Sequence, residues 1–353
     1  MNNKPVILIF EDTIDNASSL ERNLAKLSAD FDVQIFSAKD NDSSESFVER
    51  LTLELNHYHE ILLIVSDMDL SKTDKFKGLT DAVIFRVAHE LGLPTAYYST
   101  ALSGSEGRRL DQAGDGRILL GSTDYEQIAQ RISVLANGFQ SINALMEEIA
   151  ANPVDKRPQS PADLIAQLIG RKETADRINL YLSGDQRIAA EILSSPKDGR
   201  IKRHATIFGT WIYDSLMRYP GVFLNCVSAA SYLNISVDDF NREDVRAVFE
   251  KCKYFGPFAD EHSPLYWRDE IDRLLANSNV DSGLELVEIH GLNVSPCMCS
   301  VDQSLEAGYY CMVTEMPVSF ERSVGNISTF PPGADLARLA EPVYDELSPW
   351  LSV

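Results

Sequence analysis

The chain predicts an α/β fold: a doubly wound (βα)5 parallel sheet over residues 1–140, a linker over 141–160, and a second, helix-rich α+β domain over 161–353. Three observations carry this expectation. The runs Val6-Ile7-Leu8-Ile9-Phe10 and Ile61-Leu62-Leu63-Ile64-Val65 are continuously apolar and rich in β-branched residues, which suits strands covered on both faces. Strand-like and helix-like segments alternate from residue 5 to about 140, giving five βα units. The polar stretch Ala151-Asn152-Pro153-Val154-Asp155-Lys156-Arg157-Pro158-Gln159-Ser160-Pro161 then holds three prolines, as a linker would.

Taken in order, strands are expected at 6–10, 33–36, 61–66, 94–98 and 117–120, with helices near 15–29, 43–56, 78–91, 105–113 and 124–137. Asp12-Thr13-Ile14-Asp15 supplies capping oxygens ahead of the stripe Leu20, Leu24, Leu27, so the first helix is well specified. After the linker, Ser160 can cap, Pro161 fits the first helical position and Asp163 completes the capping box of a helix running to about Leu182. Further helices are expected at 203–218, 226–233, 241–252 and 264–276, then strands at 284–290, 308–314 and 317–321.

At 353 residues the chain has room for two cores. An apolar fraction of 44% with 24% charged residues places it in the soluble globular class. No apolar run is long enough to cross a bilayer, and Met1-Asn2-Asn3-Lys4-Pro5 leads directly into a strand without a signal-peptide core, so a cytoplasmic protein with no membrane partner is expected. A formal charge of -21 opposes extended docking onto phosphate backbone and makes nucleic acid an unlikely partner. Cys226, Cys252, Cys297, Cys299 and Cys311 are odd in number and confined to the second half, which reads as reduced thiols, not a disulfide framework.

The two apolar strands both end in acid. In an open α/β sheet ligands bind at the carboxyl ends of the strands, so Glu11, Asp12 and Asp67 would converge if the strands are neighbours. Three carboxylates in one place repel unless a cation joins them, and Mg²⁺, a hard ion that prefers oxygen, answers that need. The alternative is that these acids are solvated loop residues or helix caps.

The first 140 residues resemble the receiver (CheY-like, flavodoxin-like) domain of two-component response regulators. ILIFEDTIDNASSLERNLAKL is similar to its first strand, acidic pair and first helix; LLIVSDMDLSKTDKFKG to its third strand, aspartate and following loop; LPTAYYSTA to its fourth strand with a hydroxyl residue; AGDGRILLGSTD to the segment around its fifth strand. The resemblance implies that Asp67 is the phospho-acceptor, that Glu11, Asp12 and Asp67 hold Mg²⁺, and that the Ser99 hydroxyl contacts the phosphoryl group. It also implies a histidine kinase or phosphotransfer protein as donor. A cation between carboxylate and phosphate makes such an attack electrostatically feasible. The sequence departs from the family where a lysine is usual at the end of the fifth strand, since that position is Gly121, followed by Ser122 in place of proline, and Ile118 replaces the usual aromatic. Lys72 and Lys75, after Asp67, could supply charge instead.

The second half resembles no family by its motifs. His290, Cys297, Cys299 and Cys311 suggest soft metal ligands, but one residue between Cys297 and Cys299 is too short a spacer for common structural zinc, so small buried hydrophobes are the simpler reading. His57-Tyr58-His59 reads as a polar turn. Ala229 to Ser236 with Val245 and Val248 faintly suggests a helix-turn-helix, which the acidic stretch Asp238 to Asp244 opposes. The basic cluster Lys197, Arg200, Lys202, Arg203 and His204 fits a helix start or an acidic partner, and the aromatics Tyr254, Phe255, Phe258, Tyr266 and Trp267 fit a core or a recognition groove. The expected protein is therefore a two-component signalling protein whose C-terminal domain meets a protein partner or whose receiver buffers phosphate. Two alternatives stand beside it: an unphosphorylated pseudo-receiver adaptor, and a response regulator with an enzymatic or DNA-binding output.

Overall fold

A computed structural model describes residues 4–27, 30–36, 47–70, 80–99, 118–122, 124–183 and 201–351. The chain divides into two compact units, residues 1–157 with 191–211, and residues 158–190 with 212–353. The expected helix at 105–113, the residues Lys72, Lys75, Lys197 and Arg200, and the start of the expected helix at 43–56 lie outside the described residues.

In the first unit, strands β1 (Val6–Phe10), β2 (Asp32–Ile35), β3 (Ile61–Asp67), β4 (Thr95–Ser99) and β5 (Ile118–Gly121) form one sheet in the order β2-β1-β3-β4-β5. Every pairing is parallel. The order is that of flavodoxin-like sheets, whose chain reverses direction of growth between β1 and β3. All five residues of β1 are buried, as are Leu62 to Asp67 in β3, so the continuous apolar runs are explained by cover on both faces. Val6, Leu8, Phe10 and Ile64 pack with Leu51, Leu55, Ile84 and Val87 in one cluster. Ile7, Ile9, Leu63 and Val65, which alternate with them, are equally inaccessible.

Helix α1 (Ile14–Leu27) buries Leu20 and Leu24 of the predicted stripe together with Ala17, whereas Leu27, at its last position, is exposed. After α2 (Phe47–Leu55), helix α3 (Asp81–Leu91) is capped by Thr80, whose hydroxyl accepts from Val83 N–H at 3.3 Å, and ends at Gly92 with φ of 70°. Helix α4 (Tyr125–Ala151) runs through 141–151, half of the expected linker. Gly138, Phe139, Ile142, Met146 and Ile149 continue its buried stripe, and no breaker occurs before Asn152-Pro153. The first unit therefore extends past residue 140, and helix Ile201–Trp211, expected in the second domain, packs on α4.

In the second unit Ser160 caps α5 (Pro161–Leu168) as anticipated, accepting from Asp163 N–H at 3.1 Å while its hydroxyl donates to Asp163 Oδ2. The helix does not continue to Leu182: the chain turns at Gly170, with φ of 86°, before a short 3₁₀ turn and α6 (Ala175–Leu182). Of residues 284–290, expected as strand, 284–289 lie in a helix, Gly283–Ile289. Ser282 accepts from Glu285 N–H, and the Glu285 carboxylate accepts from Asp281 N–H just before the cap, so these helix-start bonds outweigh an apolar run that also suits a strand. Strands β6 (Phe223–Leu224) and β7 (Tyr266–Trp267) pair antiparallel. Strands β8 (Tyr309–Cys311), β9 (Pro317–Val318), β10 (Ser323–Val324) and β11 (Ala337–Ala340) form a mixed sheet in the order β10-β11-β8-β9. The core of this unit gathers Leu233, Phe240, Val245, Phe249, Tyr266 and Ile271. Tyr254, Phe258, Tyr266 and Trp267 are interior residues, whereas Phe255 is 76% exposed.

Candidate functional site

Because β1 and β3 are hydrogen-bonded neighbours, with Phe10 paired to Ser66, the acids that follow them meet at the carboxyl edge. Glu11, Asp12 and Asp67 each offer an oxygen within 4.8 Å of the others, and all three residues are buried. Local hydrogen bonds fix them. Glu11 Oε1 accepts from Thr13 N–H at 2.8 Å, Asp12 Oδ1 accepts from the Thr13 hydroxyl at 3.2 Å, and Asp67 Oδ1 accepts from Asp69 N–H at 3.2 Å. Three hard, anionic oxygen donors held together at a sheet edge fit a hard divalent cation and would be a poor site for a soft one.

A fourth residue, Tyr98 on β4, belongs to this cluster and was not singled out from the sequence. Its register opposite Asp67 places it beside the trio, and its hydroxyl donates to Glu11 Oε2 at 2.5 Å. Burial, the adjacent Glu11 charge and its hydrogen bond, and the Asp67 charge all push the Tyr98 phenol far above its ordinary range, so it stays a donor. Ser99, the residue picked for a phosphoryl contact, ends β4 half-buried and in register with Gly121 at the end of β5. Ser122 is engaged locally: its hydroxyl donates to Gln127 Oε1 at 3.0 Å and accepts from Asp124 N–H at 3.1 Å.

The other motifs do not assemble a site of this kind. Among the described residues the acidic trio is the group whose His, Cys, Asp or Glu ligand atoms come close enough to share an ion, and His290, Cys297, Cys299 and Cys311 form none. His290 is exposed, while the three cysteines are buried. Burial pushes the Cys297 thiol up to about 12. Burial also opposes ionisation of Cys299, but N–H donors from Asp302, Ser319 and Val301 and the Ser319 hydroxyl outweigh it and lower its pKa. His57 follows α2 in a turn, its Nδ1 2.7 Å from Leu53 O. No described helix is long and apolar enough to cross a membrane. A scan against protein-family models found no match to the chain, and a search of curated proteins found none in sequence.

Proposed function

We propose that the first unit is a receiver-type domain in which Asp67 accepts a phosphoryl group, with Mg²⁺ held by Glu11, Asp12 and Asp67. The observation that carries this reading is the convergence of three buried carboxylates at the carboxyl edge of a 2-1-3-4-5 parallel sheet. Bound there, the cation would neutralise charge on an incoming phosphoryl group. Asp67 would attack phosphorus in line as the bond to a phosphohistidine nitrogen breaks, and the resulting acyl phosphate would be labile, a timed signal. The donor is a histidine kinase or phosphotransfer protein, and Ser99 is the hydroxyl assigned to the phosphoryl oxygen. The second unit would answer through protein contacts in the cytoplasm, or the receiver would act as a phosphate sink.

Gly121 favours a second reading, an adaptor that keeps the receiver shape and is not phosphorylated, because glycine offers no ammonium at the end of β5. Binding of beryllofluoride, a phosphoryl mimic, separates the two. The phosphorylated reading expects binding that requires Mg²⁺ and vanishes in Asp67→Ala; a wild-type protein that ignores both ligands at millimolar Mg²⁺ leaves the adaptor.

A further inference from the structure

We infer that Tyr98 sets how tightly this pocket holds its cation: its hydroxyl stabilises the metal-free carboxylates through Glu11 and thereby weakens metal binding. This rests on reading the trio as a metal site. Each Glu11 oxygen carries one donor, Thr13 N–H on Oε1 and the Tyr98 hydroxyl on Oε2. Tyr98 is only 1% exposed, so that hydroxyl has no water to turn to, and in β4 it lies opposite Asp67. A hydrogen bond to a carboxylate draws its strength from the full negative charge. A cation entering the pocket takes up that charge, so the bond is worth less in the metal-bound state than in the free one. The free state thus has more to lose when the hydroxyl is removed, and the equilibrium moves towards metal.

The test is Tyr98→Phe in the full chain, which keeps the ring and removes one oxygen. Titration calorimetry with Mg²⁺ should show binding about fivefold tighter than wild type, on the scale of a weakened charged hydrogen bond. The midpoint of thermal unfolding without metal should fall, and saturating Mg²⁺ should close most of that gap. A packing role alone would lower stability with and without metal and would leave affinity unchanged or weaker. Equal or weaker binding in Tyr98→Phe, with wild-type binding intact, overturns the role of Tyr98 and leaves the metal site standing. Failure of both proteins to bind Mg²⁺ overturns the two together. Should Tyr98→Phe not fold without metal, its unfolding midpoint is followed at rising Mg²⁺ instead: a midpoint that closes on the wild-type value at saturation supports the inference, and a gap that stays constant across Mg²⁺ concentrations overturns it.

Discussion

Replacing Asp67 by Asn removes one charge from the acidic pocket while keeping an Oδ1 to accept from Asp69 N–H, now at 3.2 Å. Its effect follows from the spacing of the trio. Two carboxylate charges 4.8 Å apart repel by about 3.5 kcal/mol at an effective dielectric of about 20, and closer oxygens repel more. Asp67→Asn abolishes two of the three mutual repulsions. Counterions and water at the strand ends screen part of this, so a gain of about 1–3 kcal/mol in the metal-free protein is expected. For a unit of this size that raises its melting temperature by several degrees, at roughly 2–4 °C per kcal/mol. Mg²⁺ at about 100 times its dissociation constant should stabilise the wild type by about 2.7 kcal/mol more and the variant far less. Differential scanning calorimetry with EDTA and with Mg²⁺ reads both effects. An Asp67→Asn protein less stable than wild type in EDTA, or one that responds equally to Mg²⁺, would refute the argument that the mutual repulsion of these carboxylates is relieved by a cation.

Three further perturbations test other parts of the fold. Gly92→Ala should destabilise the first unit by about 2 kcal/mol or more in urea unfolding, since the left-handed backbone resists a side chain and the new Cβ would stand 2.9 Å from Arg203 Cβ; a neutral result would show that α3 does not end as described. Tyr181→Phe should cost the second unit about 1–3 kcal/mol, because this buried hydroxyl donates to Tyr219 O at 2.8 Å and accepts from Val222 N–H at 3.3 Å; an unchanged urea midpoint argues against those bonds. The Ser295 N–H, helped by the Ser236 hydroxyl and Arg242, holds the Asp239 carboxyl below its usual range. A depressed carboxylate stabilises fully above its unfolded pKa of about 3.9 and loses that contribution as pH falls through the folded value. Asp239→Asn should therefore be less stable than wild type near neutral pH, with the gap closing in acid, and a gap independent of pH would contradict this linkage.

The first unit was legible because its signals are local. Val6–Phe10 and Ile61–Asp67 announce strands covered on both faces and carry their acids with them, and the stripe Leu20, Leu24 needs only its own helix to be read. Tyr98 was missed for the opposite reason. In TAYYS it reads as one more apolar strand residue, and only the register that sets it opposite Asp67 brings its hydroxyl to Glu11. The resemblance drew attention one residue further, to Ser99. Residues 284–290 were misjudged because Leu284, Leu286, Val287 and Ile289 make a dense apolar run that also suits a strand, although Ser282 and Glu285 already spelled a capping box. Strand β11 left little trace, since its partners Tyr310 and Cys311 lie far back in the chain and nothing within Ala337–Ala340 specifies them.

The interleaving of the two units constrains how the protein can be made. Neither unit is one uninterrupted stretch, for 191–211 completes the first after 158–190 has begun the second. On the ribosome, the long α4 would emerge well before helix Ile201–Trp211 arrives to cover it, leaving an apolar stripe exposed in the nascent chain meanwhile. The late strand β11 lies inside its sheet, between β10 and β8, so the earlier strands wait for it as well. Expression fragments cut near residue 157 would lack that cover, and a piece ending before Ala337 would lose an interior strand of its sheet.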